Sequence, residues 1–142
     1  MIIKQVSVFL ENKSGRLNEV TKILSNAELN ISAFTIADTS DFGILRMIVS
    51  DPEKACSVLK ENDFSVKTTD VVLAKTPNKA GSLSKLLGIL QEEEIFIEYM
   101  YAFSMDNEGA VIVIRPTRVE YCVERLQKHS TELVKADELY RL

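Results

Sequence analysis

The chain has 142 residues, with 17 Lys and Arg against 21 Asp and Glu, a net charge of −4. That length suits one ordinary domain, or two small ones of about 70 residues. The 46% hydrophobic and 27% charged fractions exclude a disordered chain. The negative balance gives no broad electrostatic reason to bind nucleic acid or anionic lipid. No apolar run approaches the roughly 20 residues of a membrane span.

Met1 to Leu10 is apolar but interrupted by Lys4 and Gln5. It lacks a basic leader and a small-residue cleavage site, so it reads as a strand and not a signal peptide. A polar loop, Glu11 to Ser14, follows. Leu17, Val20, Leu24 and Ala27 then recur at helical spacing and give one apolar face. Asn30 to Thr39 is rich in Ile, Phe and Thr and reads as a strand; Ser40 to Gly43 is a turn. Ile44 to Val49 is a short buried strand. Asp51 can cap a second helix, with Pro52 at its first position and Ala55, Val58 and Leu59 as its apolar stripe. Ser65 to Thr69 closes the unit as a strand.

The pattern then starts again. Residues 12–24 and 78–90 coincide at 6 of 13 positions with an offset of 66. Ile31 meets Ile97, Gly43 meets Gly109 and Cys56 meets Cys122. In the second copy Leu83, Leu86, Leu87 and Leu90 mark the first helix, and Asp106 to Gly109 the turn. Ala110 to Ile114 is a buried strand. Thr117 and Glu120 fit a capping box, and Val119, Cys122, Val123 and Leu126 form the second helix's stripe. A last strand falls at Glu132 to Asp137. The expected fold is α+β: a ferredoxin-like βαββαβ unit repeated twice, each an antiparallel sheet with both helices on one face. The domains are expected at 1–69 and 70–142. Edge-to-edge sheets would cover exposed strand edges.

The repeated loops are the most informative feature. Each puts Asn, Lys, a small residue and Gly between a strand and a helix. A helix start offers free N–H groups and positive potential to a carboxylate. Gly15 and Gly81 allow close backbone approach, and the amides of Asn12 and Asn78 both donate and accept hydrogen bonds. This mix suits a zwitterionic amino acid, although a tight strand-to-helix turn requires the same residues.

Asn12-Lys13-Ser14-Gly15-Arg16-Leu17, followed by Leu29-Asn30-Ile31, resembles an ACT domain, and Asn78-Lys79-Ala80-Gly81-Ser82-Leu83 with Ile95-Phe96-Ile97 resembles another. The resemblance covers nearly the whole chain. It implies a stand-alone tandem regulator that binds a small ligand, usually an amino acid, between ACT domains. Copy one is similar to the serine-responsive regulatory domain of phosphoglycerate dehydrogenase, whose two asparagines match Asn12 and Asn30; that domain's loop histidine falls at Leu10. In copy two Phe96 takes the strand-asparagine position, so copy one is the more polar site. The resemblance assigns ligand binding to Asn12, Ser14, Gly15, Arg16, Leu17, Asn30 and Ile31, and to Asn78, Gly81, Ser82, Leu83 and Ile97. It implies a homodimer, since such sites are often completed across subunits.

The remaining inventory argues against catalysis, a metal site or a cofactor. His129 is the only histidine and lies seven residues from Cys122, roughly 10 Å along one helix. It reads as a surface residue, and Glu92 to Glu94 as a solvated charge run. Cys56 and Cys122 read as small core filler. Tyr99, Tyr101 and Phe103 alternate onto one sheet face, as packing or as a ligand wall. No RNA-binding aromatics occupy Gly43 to Val49, and no Cys-x-x-Cys is present. Two expectations follow: a cytoplasmic amino-acid sensor, or an interaction module without a ligand, such as a regulatory subunit resembling the acetolactate synthase small subunit. Either would signal through a partner, possible metabolic enzymes included.

Overall fold

The computed structural model describes residues 1–142 except 12, 39–40, 105–108 and 141–142. Its elements are β1 (Ile2–Glu11), α1 (Arg16–Asn26), β2 (Ile31–Asp38), β3 (Phe42–Val49), α2 (Pro52–Glu61), β4 (Ser65–Pro77), α3 (Ser82–Glu92), β5 (Ile97–Phe103), β6 (Gly109–Pro116), α4 (Val119–Lys128) and α5 (Ala136–Leu139). The βαββαβ order therefore occurs twice, in six antiparallel strands with five helices, because β4 serves both copies and the second copy's last strand is reduced to a bridge.

The chain forms two compact units. One holds Lys4–Thr69 and the end of the chain from Leu139; the other holds Met1–Ile3 and Asp70–Glu138. β4 supplies the last strand of the first unit and the first strand of the second, so the join at Thr69 and Asp70 lies inside a 13-residue strand. In the first unit the strand order is β2-β3-β1-β4, and in the second β4-β6-β5.

Strand alternation decides which side chains meet the helices. In the first unit Val6, Val8 and Leu10 of β1 and Leu45, Met47 and Val49 of β3 share a cluster with Val20 and Leu24 of α1 and Ala55 and Leu59 of α2. In the second, Val72 and Ala74 of β4 and Ile112 and Ile114 of β6 meet Leu86, Leu90, Cys122 and Leu126. Both helices of each unit thus lie on one sheet face. Each fully buried leucine contributes about 1.5–3 kcal/mol. Cys122 is core filler, as its stripe position predicts, and burial pushes its thiol up to about 11. Cys56 is half-buried at the edge of the first unit's cluster.

Asp51 caps α2 through Oδ1, which accepts from Lys54 N at 3.1 Å, with Pro52 in the first turn. The capping box expected at Thr117 and Glu120 does not form: Arg118 is the N-cap of α4, without a side-chain bond. Thr117 N donates instead to the Phe96 carbonyl at 3.0 Å, which holds Thr117 out of the cap position. The expected last strand at 132–137 shrinks to one bridge, Leu133 to Ala74, followed by α5. Lys75 Nζ holds both ends of that segment, at 3.2 Å from Glu132 and 2.7 Å from Glu138. The expected turns at Ser40 and at 106–108 lie outside the described residues, as does Thr39.

The four long helices end alike. Glu28, Asp63, Glu94 and Ser130 all have φ between 56° and 65°. After α1, Leu29 N donates to Leu24 O at 2.9 Å and Glu28 N to Ser25 O at 3.0 Å, the two bonds of a Schellman motif. The same pair closes α2, α3 and α4. No glycine fills this left-handed position, so each end carries strain. A side chain from the second helix also ties down the end of the first. Lys54 Nζ donates to the Ala27 carbonyl at 2.9 Å, and the Tyr121 hydroxyl donates to the Glu93 carbonyl at 3.0 Å.

Replacing Asp63 with Gly should stabilise the fold by about 0.5–1 kcal/mol, the left-handed strain relieved less the entropy glycine loses. Urea unfolding checks this, and a lower midpoint would refute it.

Candidate functional site

The two strand-to-helix loops fold alike. Gly15 and Gly81 are the N-caps of α1 and α3, at φ 87° and 92°. Only glycine adopts such angles freely. Arg16 N reaches back to Lys13 O, and Ser82 N to Lys79 O. A Cβ on either glycine would meet nothing within 4 Å, so the backbone is approachable there. Neither helix start has a side-chain cap from its N-cap residue, and the first amide of each is taken by a loop carbonyl; the amides that follow are the kind of group that suits an anion. Asn12 lies outside the described residues. Ser14, Asn78 and Gly81 are exposed, and Ser82 half-exposed.

Arg16 is committed elsewhere. Its guanidinium stacks 4.2 Å from the Phe64 ring centroid and pairs with Glu19 at 3.0 Å. Asn30 lies at the other end of α1. Its backbone N donates to Ser50 Oγ at 3.0 Å, and Ser50 N donates back to its carbonyl, beyond the end of β3. Gly15 and Asn30 are therefore not brought together within copy one. The 11 residues of α1 hold them about 16 Å apart along the axis.

Two adjoining hollows fill the space between α1 and β2. One, of about 130 Å³, is apolar and lined by Leu17, Thr21, Ile31, Phe34, Leu45 and Met47. Register explains it: Phe34 faces Met47 and Ile36 faces Leu45, so β2 extends the helix-side face beyond the reach of α1. Phe34 is 63% exposed and Leu17 38%. The other hollow is more open, about 440 Å³, and includes Thr21, Ser25, Glu28 and Asn30. Thr21 and Ile31 border both. Of the sequence-derived candidates, Leu17, Asn30 and Ile31 line this space. Thr21, Phe34, Leu45 and Met47 were missed; a polar Thr21 where the repeat has Leu87 was the available signal.

In copy two, Leu83, Leu87 and Phe96 are exposed, and Leu83, Leu87, Ile97 and Met100 stand at the repeat positions of Leu17, Thr21, Ile31 and Phe34. This copy is apolar where copy one has Thr21 and Asn30. Tyr99, Tyr101 and Phe103 oppose Arg115, Val113 and Val111, on the face away from the helices.

Glu93 and His129 are not solvated surface groups. Glu93 is 14% exposed at its side chain and accepts from His129 Nε2 at 2.8 Å, with Arg125 Nε at 3.6 Å. His129, and beyond it Arg125 and Lys128, hold the Glu93 carboxyl below the usual range despite its partial burial. Among the described residues no group of three or more His, Cys, Asp or Glu comes together to hold a metal, and no helix is long and apolar enough to cross a membrane.

Both units start their first helix on a glycine, and a hollow lies beside the first helix of copy one. The model of the ACT domain pair matches residues 1–142, and the chain belongs to that family. The structure is similar to protein BT0572 from Bacteroides thetaiotaomicron, at 52% identity and TM-score 0.95, covering 100% of this chain and 98% of that one. It shares its fold with the regulatory subunit of aspartate kinase from Thermus thermophilus in its ligand-free form, at 12% identity and TM-score 0.67, covering 89% and 90% of the two chains. No curated protein matches the sequence. ACT domains are regulatory, ligand-binding modules.

Gly15→Ala should cost about 1–2 kcal/mol, because alanine resists φ 87° even with open space around it; a denaturation curve unchanged from the parent would contradict this. Glu93 contributes stability above the ordinary carboxylate pKa, and that contribution is lost as pH falls through its lowered native value. Glu93→Gln should therefore be less stable near neutral pH, with the gap closing in acid, as a pH series of unfolding midpoints reads directly.

Proposed function

We propose that this protein is a non-catalytic regulator that binds a free amino acid at the α1/β2 face of copy one, with its ACT domains at 1–69 and 70–142. The observation that carries this reading is the pair of joined hollows, apolar at Leu17 and Phe34 and polar at Ser25, Glu28 and Asn30. A free amino acid suits both: the apolar hollow takes its side chain, and the Glu28 carboxylate and neighbouring oxygens take its ammonium group, while its carboxylate still requires amide donors.

Those amide donors come from a second protomer in this reading. Gly15 and Asn30 stand at opposite ends of α1, so one ligand reaches both only where two such faces meet. A two-fold homodimer does this twice, setting each α1 start against its partner's Asn30 end. Exposed Leu17, Phe34 and Ile36 supply apolar surface for that contact. A ligand held between two faces favours one arrangement over others, and a bound enzyme partner in the cytoplasm would sense the change. Copy two, with Asn78, Gly81, Ser82, Leu83 and Ile97, is a second and less polar site. The exposed Leu83, Leu87 and Phe96 favour a second reading for that copy, as a surface that docks on the regulated enzyme.

A thermal-shift series against the twenty amino acids tests the main reading. At least one should stabilise the protein, and Asn30→Ala should weaken its binding by about 1–3 kcal/mol. Light scattering should give the mass of a dimer. Silence from every amino acid would overturn the proposal.

A further inference from the structure

We infer that the copy-one site selects an aliphatic α-amino acid whose side chain has three or four heavy atoms: valine, leucine, isoleucine or methionine. This rests on the reading that the α1/β2 face binds a free amino acid, and it adds what decides between amino acids. None of the six residues lining the inner hollow is charged. Its floor is Leu45 and Met47, at 1% and 0% exposure, and its walls are Leu17, Ile31 and Phe34. The one polar group at its rim is already engaged: Thr21 Oγ1 donates to the Asn18 carbonyl at 2.9 Å. An aspartate side chain entering here would lose water and gain no donor, and a lysine or serine would lose water for at most the one acceptor that Thr21 Oγ1 retains.

Size sets the other limit. The hollow measures about 130 Å³, and an apolar cavity of about 150 Å³ takes up benzene. A branched aliphatic group or a thioether fits, while a phenylalanine side chain, with its extra methylene beyond the ring, overfills the space. The polar hollow adjoins through Thr21 and Ile31. An amino acid with its ammonium group near Glu28 and Asn30 therefore directs its side chain past Thr21 onto Met47.

The repeat itself supplies the test variant. Copy two has Leu87 where copy one has Thr21, on an equivalent helix that folds. Thr21→Leu should keep the fold and fill the hollow. Calorimetry on the full chain would compare leucine, isoleucine, valine and methionine with serine, aspartate, lysine and phenylalanine. The inference predicts that at least one of the first four binds about tenfold or more tighter than each of the others, as burial of an aliphatic side chain dictates. It predicts a similar loss in Thr21→Leu, with the unfolding temperature kept. Tighter binding of serine, aspartate or lysine, lost in Asn30→Ala and untouched by Thr21→Leu, would overturn this inference and leave the amino-acid reading standing. Aliphatic binding indifferent to both variants would overturn the inference by placing the ligand elsewhere. No binding by any of the eight would overturn this inference, and silence from all twenty amino acids would overturn the amino-acid reading as well.

Discussion

Eleven residues of α1 lie between Gly15 and the turn that leads into Asn30, and at 1.5 Å per residue no small ligand spans them. The length of that helix fixes what the site can be. Its start, behind a left-handed glycine with no side-chain cap, carries amides of the kind that suit a carboxylate. Its end, with Ser25, Glu28 and Asn30, suits an ammonium group. Between them the helix carries Leu17 and Thr21 over a sheet that β2 extends outward. In copy one the helix thus has a polar end and an apolar middle, with its glycine start at the far side.

The two copies share their frame and differ at their working surfaces. Both start the first helix on a left-handed glycine, end every long helix in a Schellman turn, and tie the first helix's last carbonyl to the second helix. Copy one makes that tie with Lys54. Copy two makes it with Tyr121 and adds Glu93, Arg125 and His129 around the same helix end. Asn30 and Thr21 of copy one become Phe96 and Leu87. At these positions copy one is polar and copy two apolar.

Most of the fold was legible in the sequence because its signals are local. Alternation in β1 and β3, the spacing of Val20 and Leu24, the Asp51-Pro52 start and the 66-residue repeat each report on near neighbours. The helix ends were not legible, since left-handed Glu28, Asp63, Glu94 and Ser130 replace the glycine that usually marks such turns. The capping box at Thr117 failed because its backbone N–H bonds Phe96, a partner 21 residues away in sequence. In the candidate site the repeated loops gave the glycines. The hollow was hidden, because it depends on how far β2 extends past α1. Leu17 and Leu83 read as core by spacing, yet both are exposed, Leu17 at the edge of the hollow. The distance between Gly15 and Asn30 also followed only from the three-dimensional course of the chain.

The most direct test of the account asks whether one site draws on two chains. Asn12→Ala and Asn30→Ala chains, each weakened in ligand binding alone, would be mixed, unfolded and refolded together, and titrated by calorimetry with the amino acid that stabilises the parent. If the loop of one protomer meets the Asn30 end of its partner, mixed dimers contain one intact pair of halves, and binding at parental affinity returns at a reduced number of sites. If each chain builds its own site, every site in the mixture carries one lesion and parental affinity does not return, which would contradict the account.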